Sequence, residues 1–217
     1  MADREPPGSG SVRRPARGRE VPSPEADDLR DARRILLTGR PGVGKTTVVR
    51  RTLDLLESGT GAAGRSVVEG FLTEEIRDPA GVRAGFRIRS LRGDSGTLAR
   101  VGLRSPVRVG RYGVDLESID AVVNSMLDEV LAGPGVDLLV LDEIGKMESA
   151  SARFRDLVDR AFDSRIRILG TVPIRATGWI DEIERRPDVV RVEVTRENRD
   201  ELPGRLAASL ARSRLRS

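Results

Sequence analysis

The chain has 217 residues and a formal net charge of +4. That length suits one domain, or one domain with an insertion, and the charge is small for a chain that is 33% charged, so no nucleic-acid field is implied by it. Cysteine and histidine are both absent, which excludes disulfides, Cys/His zinc sites, thiol nucleophiles and any triad with an imidazole base. One Trp, one Tyr and four Phe leave an aliphatic core and disfavour base-stacking folds such as the RRM.

Residues 1–30 hold Pro6, Pro7, Pro15, Pro22 and Pro24 among Gly, Ser and charged side chains. This composition predicts a disordered N-terminal arm, with a weak RNA or membrane contact through Arg13, Arg14, Arg17 and Arg19 as the other reading. The first seven residues have no signal-peptide character. No apolar run approaches the roughly 20 residues that span a bilayer, so no membrane partner and a cytoplasmic location are expected.

The domain is expected over 31–217. Ile35, Leu36, Leu37 and Thr38 predict a buried parallel strand. A loop follows from Gly39 to Gly44. Residues 46–56 predict a helix with an apolar stripe of Val48, Val49, Leu53 and Leu56, ended by Ser58, Gly59, Thr60, Gly61 and Gly64. Residues 66–73 and 82–91 read as strands around a turn at 78–81, a β-hairpin. A second turn is expected at 92–96.

Residues 116–131 have helical spacing. A strand at 136–141 ends in Asp142 and Glu143. Then come a helix at 154–162, a strand at 166–172, a short helix at 179–185, a strand at 189–194 and a last helix at 202–215. The alternation predicts an α/β fold with a mainly parallel sheet flanked by helices, and a β-hairpin after the first helix.

Only two of the 38 basic residues are lysine, Lys45 and Lys146. Arginine's planar fork does not replace a compact ammonium in a tight backbone cradle, so both lysines carry information. Gly39-Arg40-Pro41-Gly42-Val43-Gly44-Lys45-Thr46 fits the P-loop pattern. Its amides and the following helix N-terminus receive phosphate oxygens. Lys45 reaches the β- and γ-phosphates, and Thr46 offers a hydroxyl to Mg²⁺.

The apolar strand ending in Asp142 and Glu143 resembles a Walker B segment. Asp142 is expected to hold Mg²⁺ directly or through water, and Glu143 to polarise the attacking water. The plainer alternative is an acidic pair at the start of a helix. The second acid favours the ATPase branch of P-loop proteins, and no guanine-recognition motif is present. Lys146 either supports a phosphate or covers a helix start. Arg175, Arg196 and Arg199 follow strands that border the site, and Arg175 and Arg199 are the candidate charge stabilisers. Glu74 and Glu75 read as surface residues and Trp179 as packing.

GRPGVGKTT at 39–47, GFLTEEIR at 70–77, VGRYGVDL at 109–116, LDEIGKME at 141–148, GTVP at 170–173 and VTRENRDELP at 194–203 together resemble the small nucleoside-triphosphatases of bacteria, archaea and animals. The resemblance covers about 33–215, and its motifs are more specific than a P-loop. It implies a Mg²⁺-dependent hydrolysis of ATP, GTP, CTP and UTP to the nucleoside diphosphate and phosphate, with broad base specificity. It also implies nucleotide contacts along Gly39, Arg40, Pro41, Gly42, Val43, Gly44, Lys45, Thr46 and Thr47. A second stretch of contacts is implied along Leu138, Leu139, Val140, Leu141, Asp142, Glu143, Ile144 and Gly145. Arg40 departs from the small residues, Glu or Pro that members often carry there.

Two other functions fit the same motifs. One is a kinase passing the γ-phosphate to a nucleoside, nucleic acid or metabolite, with its acceptor pocket in the arginine-rich 77–111 region. The other is a nucleotide-dependent switch module, supported only by arginines at the chain ends (Arg205, Arg212, Arg214 and Arg216). A monomer is expected. Nucleic acid is not expected as a partner, although those arginines leave it open.

Overall fold

A computed structural model of the chain describes Leu29, residues 32–59 and residues 66–212. The expected arm lies outside the described residues except for Leu29, and so do Thr60, Gly61, Gly64, Arg214 and Arg216. Leu29 is 1% exposed. Its carbonyl accepts from the Ala32 N–H and from the Ser209 hydroxyl. The packed part of the chain therefore takes in Leu29, ahead of the expected start at 31.

In chain order the elements are β1 (Arg34–Thr38), α1 (Lys45–Ser58), β2 (Val68–Arg77), β3 (Arg83–Ser90), β4 (Ser95–Val101), β5 (Arg108–Val109) and β6 (Tyr112–Val114). A helical stretch follows as α2 (Leu116–Ile119), a π turn (Asp120–Asn124) and α3 (Ser125–Ala132). Then come β7 (Leu138–Asp142), α4 (Ala152–Asp163), β8 (Arg167–Thr171), α5 (Trp179–Glu184), β9 (Val189–Glu193) and α6 (Leu202–Arg212).

All strands join one sheet in the order β5-β6-β4-β3-β2-β7-β8-β1-β9. From β2 to β9 the pairings are parallel, and from β2 to β5 they are antiparallel. The sheet is thus mixed, which corrects the expectation of a mainly parallel one. The β2–β3 hairpin forms where expected. The strands that extend it, β4 to β6, were not expected, and β4 begins inside the turn placed at 92–96. β5 and β6, of two and three residues, carry no readable period, and β4 opens with Ser95-Gly96-Thr97, residues that read as a turn.

β1, β7 and β8 are almost entirely buried. Their side chains alternate between two cores. Ile35, Leu37, Val140 and Leu169 pack under α1 and α6, while Leu36, Leu139, Leu141 and Ile168 pack under α3 and α4. Burial on both faces is why these strands read as continuous apolar runs. The stretch expected as one helix at 116–131 is interrupted at its middle by the π turn. Asp115 caps its start, accepting from Ser118 N–H at 3.0 Å.

β2 is where the two halves of the sheet meet. Gly70 lies opposite Val140 at φ 142°, and a Cβ there would sit 2.0 Å from the Val140 carbonyl oxygen. Only glycine lets β2 lie this close to β7. The register then pairs Leu72 with Asp142, so β2 runs past the end of β7 and carries the hairpin over the carboxyl ends of the parallel strands. In open α/β sheets that edge is where ligands bind.

Candidate active site

α1 starts at Lys45 without a side-chain cap and without an acid in its first turn; its cap residue is Gly44, at φ 112°. The first-turn N–H groups of such a helix lack intrahelical acceptors, and together with the helix dipole they form an anion site. The Lys45 side chain is 11% exposed, and its Nζ lies 3.8 Å from Glu143 Oε2. The ammonium is therefore held at the mouth of the glycine loop, facing the end of β7.

Asp142 is buried at the tip of β7. Thr171, on the neighbouring β8, donates its hydroxyl to Asp142 Oδ1 at 2.6 Å. Oδ2 is shielded from solvent and has no hydrogen-bond partner among the described residues. Burial raises the Asp142 pKa above the usual carboxylate value, while the Thr171 and Thr46 hydroxyls and the Lys45 charge pull it back. Glu143 is also raised by burial, with Lys45 lowering it and Asp142 raising it. The peptide joining the two acids is cis.

An unpaired carboxylate oxygen beside a threonine hydroxyl is a hard oxygen donor set. It fits Mg²⁺, which takes one or two protein oxygens and completes its shell with water and phosphate. Such an ion needs no three-carboxylate cluster, and none is present among the described residues.

These groups face a cavity of about 620 Å³ lined by Gly39, Pro41, Gly42, Lys45, Thr46, Asp142 and Glu143, among others. The volume falls in the range of small-molecule sites. A second cavity of about 540 Å³ lies across the loop, between Arg40 and Val43 on one side and Glu193 to Glu197 on the other. The glycine loop is thus a ridge between two cavities.

Gly44 and Thr47 also line the first cavity, together with Lys146 and Arg175. Arg196 lines the second. Arg199 lies in neither: its Nη1 donates to the Val43 carbonyl at 3.3 Å, so it braces the loop from outside.

Of the stretch 138–145, only Asp142 and Glu143 line the cavity. Leu138, Leu139, Val140, Leu141 and Ile144 are at most 1% exposed and pack in the two cores, so their side chains position the acids rather than meet a ligand. Gly145 does not line the cavity either; a Cβ there would lie 2.8 Å from Glu148 Oε2. Glu74 pairs with Arg50 on α1, and Glu75 is exposed, as expected, at the rim of the cavity it helps to line. Trp179 packs edge-on to Phe154 and donates Nε1–H to Asp159 at 2.9 Å.

Several site residues were not singled out by sequence reasoning: Thr73, Arg83, Phe86 and Thr171, and above all Glu148. The last is 3% exposed. Burial pushes its pKa up to about 8; N–H groups of Glu148 and Gly145 oppose the rise, and the charges of Glu143 and Asp142 add to it. The one sequence signal for it was its place at the end of the LDEIGKME motif.

Residues 34–207 match the family model described as NTPase. The chain is 41% identical over 169 residues to the nucleoside-triphosphatase THEP1 of Thermotoga sp. (strain RQ2), covering 78% of this chain and 90% of that protein. It is 41% identical over 182 residues to the human cancer-related nucleoside-triphosphatase, covering 79% of this chain and 93% of that one. The crystal structure of THEP1 from Aquifex aeolicus superposes with a TM-score of 0.70 at 34% identity, covering 82% of this chain and 99% of that one.

Proposed function

The chain belongs to the NTPase family and is a nucleoside-triphosphate hydrolase; we propose that it acts on Mg²⁺-bound ATP, GTP, CTP and UTP alike, as a cytoplasmic monomer whose domain spans 31–217. The observation that carries this reading is the unpaired Asp142 Oδ2 at a cavity that the uncapped start of α1 and the Lys45 side chain also line. Nothing else in the cavity calls for a triphosphate so directly.

The phosphate chain lies along the amides from Gly39 to Gly44, with Lys45 between the β- and γ-phosphates and Thr47 at the start of the helix. Thr46 and Asp142 would hold Mg²⁺, which when bound neutralises charge on the β- and γ-oxygens. Glu143 takes a proton from the attacking water as the oxygen–γ-phosphorus bond forms and the bond to the β–γ bridging oxygen breaks. Burial raises the Glu143 pKa, which brings it closer to that of a working base at neutral pH. Arg175, in the same cavity, offsets charge on the transferring group. The base lies in the second cavity, beside Arg40 and Arg196.

Phosphate release from the four ribonucleoside triphosphates, with Mg²⁺ and with EDTA, tests the reading. Comparable turnover of all four, abolished by EDTA, is expected. Undiminished turnover in EDTA would remove the metal from it, and turnover of one nucleotide alone would remove the breadth.

A further inference from the structure

The P-loop accounts for one side of the first cavity, and the other side is built by the hairpin. β7 ends at Asp142, which pairs with Leu72, while β2 continues to Arg77. Five more residues of strand reach roughly 16 Å past the carboxylates, at about 3.3 Å per residue. Thr73, Glu75, Arg83 and Phe86 on this overhang line the cavity opposite Lys45.

The wall is also chemically incomplete. Thr73 Oγ1 and Arg83 Nε are shielded from solvent, and neither has a hydrogen-bond partner among the described residues. Buried polar groups are ordinarily paired, so two orphans on one cavity wall mark where a ligand atom belongs. Thr73 follows the residue paired with Asp142, which places its hydroxyl at the catalytic end. Glu75 lies two residues further along the strand, roughly 7 Å away, and pairs with both Arg83 and Arg77. Two guanidinium groups share this one carboxylate, so the outer end of the wall is cationic. The guanidinium of Arg83 is 5.6 Å from the centre of the Phe86 ring, which adds an apolar surface beside it. The sequence of the wall, from β7 outward, is thus hydroxyl, carboxylate, then cation with aromatic ring.

We propose that this overhang is a subsite for a small phosphate-bearing alcohol, which receives the γ-phosphoryl group in competition with water. The proposal rests on the nucleotide placement given above. The acceptor's phosphate meets Arg83, and its hydroxyl lies between Thr73 and Glu143. In the transfer, the hydroxyl oxygen bonds to the γ-phosphorus and its proton passes to the Glu143 carboxylate. The β–γ bridging P–O bond breaks, and the nucleoside diphosphate leaves with that electron pair. A phosphorylated sugar and a nucleotide share this chemistry, and Phe86 favours the nucleotide.

The test incubates the full chain with Mg²⁺ and γ-labelled ATP, alone and with millimolar ribose 5-phosphate or uridine 5′-monophosphate. Label should appear on an added probe at the expense of free phosphate. Transfer to ribose 5-phosphate only would identify a sugar phosphate, and transfer to uridine monophosphate a nucleotide. Arg83→Gln should raise the KM for the probe tenfold or more relative to the KM for ATP, and Arg83→Lys should recover part of that; melting curves report folding separately. Label in free phosphate alone, with either probe, would overturn the subsite and leave hydrolysis standing. No release of label of any kind would overturn both readings.

Discussion

In the parallel half of the sheet, β1, β7 and β8 are buried on both faces. In the antiparallel wing, β3 and β4 put Ile88, Leu98 and Ala99 into a single core and leave Arg87, Arg89 and Arg100 exposed. The first half places Lys45 at the start of α1 and Asp142 at the end of a strand buried on both faces. The second half faces these residues with a strand pair packed on one side. Rigid positioning of charge is the requirement on one wall of the cavity, and choice of ligand the requirement on the other. The division suggests that chemistry is built into the twice-buried strands and selectivity into the overhang.

Breaking the chemical half gives the largest effect. Glu143→Gln should lower turnover by about 10²–10⁴-fold and leave nucleotide binding in place, as measured by single-turnover phosphate release beside calorimetric titration. Equal rates for variant and wild type would take the carboxylate out of the mechanism.

Gly70→Ala attacks the seam between the two halves. The added Cβ would meet the Val140 carbonyl oxygen at 2.0 Å, an overlap with backbone that no rotamer relieves. A loss of about 3 kcal/mol, the upper end for overpacking, is expected in denaturant unfolding. Loss of less than about 1 kcal/mol would mean that the seam can slide and the halves are less coupled than described.

Glu148 sharpens the comparison through pH. Its native carboxyl holds its proton up to about 8, against an ordinary value of 4.5. Between those values the native state binds more protons than the unfolded chain, so raising the pH favours unfolding. Stability should fall with a slope of up to ~1.4 kcal/mol per pH unit in this window. Glu148→Gln should flatten the curve. An identical pH profile for the variant would show that Glu148 is charged in the fold.

The smallest effect is expected on the wing's open face. Arg87 is exposed and makes no ion pair among the described residues, so Arg87→Ala should change stability by no more than about 0.5 kcal/mol. A larger loss would show that the wing depends on contacts outside the described residues.

Much of the parallel half was legible in advance because its signals are short-range. Val48, Val49 and Leu56 repeat at helical spacing and are buried as that spacing requires. The runs at β1 and β7 are apolar throughout because both faces are covered. The wing was half legible: the alternation of β3 was readable, while β5 and β6, of two and three residues, were too short for any period. The motifs at 70–77 and 141–148 that carry the family resemblance contain Thr73 and Glu148 without saying what either touches.

The sequence by itself determined the glycine loop and the acids that share its cavity. Gly39 to Thr46 form their loop from adjacent residues, and Asp142 ends a strand whose apolar character is local. Tertiary structure alone decided which parts of those motifs reach the cavity. Leu138 to Leu141 turn into the two cores, Glu75 lines the cavity while paired with Arg77 and Arg83, and Arg199 braces the loop from outside. The reason is physical: loop and strand conformations follow from neighbours along the chain, whereas cavity walls follow from register between distant strands. The pairing of Leu72 with Asp142 joins two strands far apart along the chain, and no local pattern encodes it.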